Sequence, residues 1–154
     1  MYKRQIEAIE DVQSYTILSP DKLHQMSFGK FITASIDDGS LDVYLEKIRK
    51  LYKNTAEKTA KIIQKHLNFP IIQPEGGLYI FMKINTDSVE FVETVLTKTG
   101  VLFIPGWGFG ITGRNAVRVS FGPLVEEIDK IEQGIIKTAK YLNEIKPFLK
   151  INQK

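Results

Sequence analysis

Apolar residues recur along this chain at two periods, and each period predicts its own element. From Ser40 to Leu67 the apolar set Leu41, Leu45, Ile48, Tyr52, Ala56, Ile62 and Ile63 keeps helical spacing, while Glu46, Lys47, Lys50, Lys53, Lys58 and Lys61 fall on the opposite face. This predicts one long amphipathic helix, capped by Ser40 and carrying Asp42 in its first turn. Upstream, Ser19-Pro20-Asp21 reads as a helix start: a hydroxyl cap, a proline at the first helical position, then an acid at the positive end. Leu23, Met26, Phe28, Phe31 and Ala34 make that helix largely apolar and predict a buried element reaching about Ile36, broken by Asp37-Asp38-Gly39. Met1 to Thr16 carries no start signal and reads as a chain entered in mid-structure.

Shorter runs follow. Pro70 and Pro74 bracket a predicted strand Ile71-Ile72-Gln73, and Leu78 to Ile84 reads as a buried strand after Gly76-Gly77. Asp87-Ser88-Val89-Glu90 is an Asp form of the capping box, with Val92, Val95 and Leu96 as the core face of its helix and Gly100 as the stop. Val101 to Ile104 predicts a strand ended by Pro105-Gly106, and Gly106 to Gly113 a flexible or tightly turning glycine-rich loop. Ala116 to Phe121 predicts a strand in which Val117, Val119 and Phe121 share one face and Ala116, Arg118 and Ser120 the other. Pro123 is expected to open a last helix striped by Leu124, Ile128, Ile131, Ile135, Thr138, Leu142 and Ile145, stopped by Pro147. The order predicts an α/β fold: a small mixed sheet covered on one side by helices, preceded by the long amphipathic helix. The expected organisation is 1–38 as one helical unit, 39–148 as a small domain, and 149–154 as a frayed tail.

Composition narrows the function classes. The chain has 154 residues, 43% hydrophobic and 25% charged, so a packed domain is expected rather than a disordered segment. It has no Cys and two His, which leaves no disulfide, thiolate site or cysteine nucleophile and little room for a histidine-rich metal site. The net charge of +3 comes from cations interleaved with acids, so a nucleic-acid partner is not indicated. No apolar run spans a bilayer and the first residues lack a signal core, so a cytoplasmic location is expected.

Few residues carry candidate chemistry. Gly108-Phe109-Gly110-Ile111-Thr112-Gly113 spells GxGxxG after a strand, but a strand follows where a dinucleotide site needs a helix, and the match is set aside. Arg118 is the most informative side chain. A planar fork of donors on a rigid strand, opposite the apolar face, suits two-point binding of a carboxylate; a salt bridge or a solvent-facing residue is the plainer alternative. His24 and His66 lie on separate helices and suggest surface or capping roles. Tyr79 and Trp107 read first as packing residues, and Leu124, Ile131, Thr138 and Ile145 as a core stripe rather than a coiled coil.

Taken together, these segments resemble the C-terminal end of fold-type-I pyridoxal-phosphate aminotransferases. Pro74-Glu75-Gly76-Gly77-Leu78-Tyr79-Ile80-Phe81 resembles the PxGGxF strand of that family. Val101 to Gly106 with Phe109-Gly110 is similar to its V-x-V-PG-x-x-F segment, and Val117-Arg118-Val119-Ser120-Phe121 to its vRlsF strand. Leu18-Ser19-Pro20 with Gln25, and Gly39-Ser40-Leu41-Asp42 with Leu45, Arg49 and Tyr52, resemble upstream family patterns of the 2-aminoadipate, kynurenine and aromatic aminotransferase subgroup. The resemblance runs from about Ile6 to Leu142.

The resemblance implies that Arg118 pairs with the α-carboxylate of an amino-acid substrate, with Gly77, Tyr79 and Phe109 lining or approaching the pocket. It implies residues 1–38 as the end of the large cofactor domain, amino acids and 2-oxo acids as substrates, and a homodimer when complete. It also implies that the glycine-rich loop moves as the small domain closes. Family members hold pyridoxal 5'-phosphate through a lysine in an SxSK context. This sequence has no Ser-Lys pair, so no catalytic residue is assigned and the expectation is a portion of an enzyme, inactive alone, with the cofactor bound mainly elsewhere. The same domain occurs behind DNA-binding helices in some regulators, so an effector-binding role is an alternative, as is a non-catalytic α/β interaction domain.

Overall fold

The computed structural model describes residues 2–17 and 21–149. Leu18-Ser19-Pro20 and residues 150–154, which carry the expected helix start and most of the expected tail, lie outside the described residues. The chain divides into two compact units, Met1–Lys47 and Ile48–Lys154.

The first unit holds helices α1 (Tyr2–Thr16) and α2 (Lys22–Asp37) and the start of α3 (Ser40–His66). Asp21 caps α2: its carboxylate accepts hydrogen bonds from the Leu23 and His24 amides. A carboxylate one residue before the first helical amides reaches two free donors at once. The expected burial of α2 is not seen. Leu23 is 73% exposed, Phe28 65% and Phe31 62%, and within the helix only Ser35 is buried. Leu23, Phe28 and Phe31 stay exposed among the described residues.

The second unit carries the core. Its remaining elements are β1 (Tyr79–Lys83), α4 (Ser88–Thr99), β2 (Ile104–Pro105), β3 (Ala116–Ser120) and α5 (Ile128–Leu149). Helix α3 buries Ala56, Ala60, Ile62 and Ile63; α4 buries Phe91, Val92 and Val95; α5 buries Ile131, Ile135 and Thr138. These meet Ile80, Met82, Val117, Val119 and Phe121 from one face of the sheet, so the helical stripes and the strand alternation converge on one cluster.

The sheet order is β1-β3-β2, and both pairings are antiparallel. The expected mixed sheet is thereby corrected. The α4 crossover makes β1 and β2 run the same way, but β3 sits between them, so no parallel pair forms. Other differences are local. Residues 71–73 form only a bridge, Ile71 to Met82, because the flanking prolines cannot donate to a ladder. The expected strand 101–104 shrinks to Ile104–Pro105, the two residues that reach β3. Pro123 lies in a 3-10 turn, Gly122–Leu124, and α5 begins only at Ile128. The helix also runs past Pro147 to Leu149, a residue expected in the tail; proline's φ is helical, and its missing N–H removes one bond without ending the helix. Capping by Asp87 through the Val89 amide, and the stop at Gly100 with φ 73°, match expectation.

Candidate functional site: an arginine held between two aromatic rings

The strand alternation that buries Val117 and Val119 turns Arg118 to the other face of β3. In the register, Phe81 stands opposite Arg118 and Tyr79 opposite Ser120. Residues directly opposite share a face, so Tyr79, Phe81 and Arg118 lie together on the side away from the core. The glycine-rich loop adds Phe109. The Arg118 guanidinium carbon lies 5.0 Å from the centroid of the Tyr79 ring and 5.1 Å from that of Phe109. Phe81 meets both rings edge-on, at 5.9 Å from Tyr79 and 5.3 Å from Phe109. The guanidinium is thus sandwiched by faces that favour a cation.

What the rings do not supply is an acceptor. Arg118 Nε is buried with no hydrogen-bond partner, and Arg118 forms no ion pair among the described residues. The Nε–H donor of the guanidinium therefore lacks an acceptor among the described residues. The structural salt bridge weighed from sequence is absent among the described residues.

Of the sequence-predicted site residues, Arg118, Tyr79 and Phe109 come together. Tyr79 (43% exposed) both packs against Phe81 and carries the Arg118 guanidinium over its ring. Trp107, 52% exposed, likewise carries a guanidinium, that of Arg114 at 5.7 Å. Gly77, with φ 81°, lines a cavity of about 470 Å³ with Arg49, Tyr52, Lys53 and Glu75. Arg49 and Tyr52, from the upstream pattern that resembles the aminotransferase subgroup, share that wall. Phe81 was missed as a site residue, although its alternation with Tyr79 and its place two residues after it were the available signal. His24 contacts Asp21 at 2.6 Å on the surface, and His66 contacts Glu132 at 3.2 Å.

The glycine-rich loop turns tightly. It forms two 3-10 turns, Gly106–Phe109 and Ile111–Gly113, and no α-helix starts at its glycines. A dinucleotide site therefore stays excluded on geometry.

No family model matches the chain. Its fold and sequence are nonetheless those of a domain of the fold-type-I, pyridoxal-phosphate-dependent aminotransferase class. It is 31% identical over 147 residues to an aspartate aminotransferase of Pyrococcus abyssi, covering 92% of this chain and 35% of that enzyme. The structure of an aromatic aminotransferase from Pyrococcus horikoshii superposes with a TM-score of 0.75 at 26% identity, over 92% of this chain and 36% of that one. An α-aminoadipate aminotransferase from Thermus thermophilus, solved with N-(5'-phosphopyridoxyl)-L-leucine, shares the fold at a TM-score of 0.69 and 17% identity, over 92% and 36% of the two chains. The chain thus spans about a third of the length of the relatives it matches.

Proposed function

We propose that this chain supplies the substrate-carboxylate site of an amino-acid aminotransferase, with Arg118 as the binding group. The observation that carries the reading is the orphaned Nε–H of a guanidinium that lies over the rings of both Tyr79 and Phe109. A carboxylate arriving in the plane of the fork would take the unsatisfied donors, and the rings would keep water and competing rotamers away. Tyr79, Phe81 and Phe109 fix the angle at which the carboxylate docks, and so the direction in which the rest of an amino acid or 2-oxo acid extends.

The residues present fit the substrate anion, not the cofactor. No Ser-Lys element stands in the sequence, and Arg118 is matched to a planar carboxylate, so pyridoxal 5'-phosphate would be held by residues outside these 154. Residues 1–38, with the uncovered apolar side chains of α2, fit the end of a large cofactor domain, and a homodimer fits the class. In the complete enzyme the domain would bind and orient the acid end of the substrate. The chain alone, given cofactor, is expected to show no transamination.

The test is direct. Titrating the chain with pyruvate should perturb the Arg118 Nε–H NMR signal and the ring signals of Tyr79 and Phe109, and Arg118→Ala should abolish the response of the two rings. In an enzyme carrying this domain, the same substitution should lower kcat/KM by roughly 10- to 100-fold, the worth of a charge-assisted hydrogen bond of about 1.5–3 kcal/mol. A carboxylate response that survives Arg118→Ala would refute the assignment, and turnover by the chain alone would refute its inactivity.

A further inference from the structure

Ser88 is fully buried, yet it belongs to neither the core cluster nor the arginine site. Its position explains why. It opens α4, and its two polar groups grip both feet of the glycine-rich loop. The Trp107 amide donates to Ser88 Oγ at 3.3 Å, and the Ser88 amide donates to the Arg114 carbonyl at 2.9 Å. The neighbouring cap residue tightens the second foot, because Arg114 Nε donates to Asp87 Oδ2 at 3.1 Å while the Arg114 guanidinium lies over the Trp107 ring. Asp87 is held below the usual carboxylate range by the Val89 amide first and by Arg114 next. Between the feet the backbones of Gly106 and Gly113 touch so closely that a Cβ on either would sit 2.2–2.3 Å from the other's carbonyl oxygen. The loop is closed at its base, and Phe109 stands near its middle, against Phe81 and Arg118.

We propose that Ser88 is a positioning residue for the carboxylate site, acting through the loop: with Arg114 as second tether, it sets Phe109 on the face of Arg118. The loop is a fixed arm rather than a flap, and any closure carries it along with the rest of the unit. This rests on the reading of Arg118 as the carboxylate group, but its test does not depend on substrate.

The readout is built into the chain. A guanidinium between two rings has a ring-current-shifted Nε–H proton, and Trp107 is the single tryptophan. In the full chain, Ser88→Ala should move the Arg118 Nε–H signal toward its unstacked position and shift Trp107 emission to the red. The methyl signals of Ile63 and Ile135 should stay in place. Pyruvate affinity should fall about 5-fold, as for one lost hydrogen bond. Arg114→Ala removes the other tether from a side chain that is 62% exposed, so it tests the same arm even where Ser88→Ala does not fold. It should move the Arg118 signal in the same direction. An unchanged Arg118 signal in folded Arg114→Ala, or in Ser88→Ala with a native core, would overturn the proposal. A wild-type chain that ignores pyruvate while both variants still move the Arg118 signal would refute the carboxylate reading and leave the positioning role standing.

Discussion

Gly113→Ala tests the closed base of the loop most sharply, because the structure fixes both the clash and its control. The new Cβ would lie 2.2 Å from the Gly106 carbonyl oxygen and 2.8 Å from its carbon. A carbon–oxygen contact needs roughly 3.3 Å, so the two backbones would have to part by about 1 Å. They cannot do so freely. Pro105 pairs with Val117 and Ile104 with Arg118, so the chain entering the loop is bound to the strand that leaves it. Overpacking of this kind costs about 1–3 kcal/mol, and backbone rather than side-chain atoms put it at the upper end. For a cooperative unit of this size that lowers the melting temperature by on the order of 10 °C. Gly108→Ala is the control: nothing lies within 4 Å of its Cβ position and its φ is not positive, so its melting should be close to wild type. Thermal unfolding followed by circular dichroism reads both. Gly113→Ala melting within about 2 °C of Gly108→Ala would show that the loop base opens easily, and would refute the fixed arm with it.

Two further outcomes follow from the same geometry. Glu132, hydrogen-bonded by His66 first and also by Lys65, is held below its ordinary value of 4.5; a depressed carboxylate stabilises the fold above that range and loses its effect as pH falls through and below it. Glu132→Gln should therefore melt below wild type at about pH 6 and converge with it at about pH 3, and an equal gap at both would rule out the clasp between α3 and α5. Arg118→Met should melt no lower than wild type while losing the pyruvate response; a clear drop in its melting temperature would mean that the guanidinium has a structural partner.

The core was legible in the sequence because its periods are long and undisturbed. Val117 and Val119 against Arg118, and Ile131, Ile135 and Thr138 along α5, needed only alternation and helical spacing. The strand lengths were not legible, since a run such as Val101 to Ile104 becomes a strand only as far as a neighbour pairs with it. Nor was the exposure of α2: apolar spacing says that a face seeks burial, not that it is buried among the described residues. At the site, one strand and one alternation placed Arg118. Its two plates come from β1 and from a loop that lies nine residues upstream of it, and only the register and the loop base bring them together. Ser88 gave no signal beyond its place after a cap, because its Oγ partner, the Trp107 amide, lies 19 positions on.

The expectation for Arg118→Met follows from setting the terms at this residue against each other. Two cation–π contacts at partly exposed rings contribute about 0.5–1 kcal/mol each. A buried donor with no acceptor costs about 1–3 kcal/mol. The terms nearly cancel, so the sandwich stabilises the fold little or not at all. A methionine would keep the apolar contact with both rings, add sulfur–aromatic attraction and leave no orphaned donor. Local stability therefore gives no reason for an arginine at this point of β3. Among the described residues the Nε–H of Arg118 has no acceptor, and the proposed occupant is a planar anion that docks beside Tyr79 and Phe109.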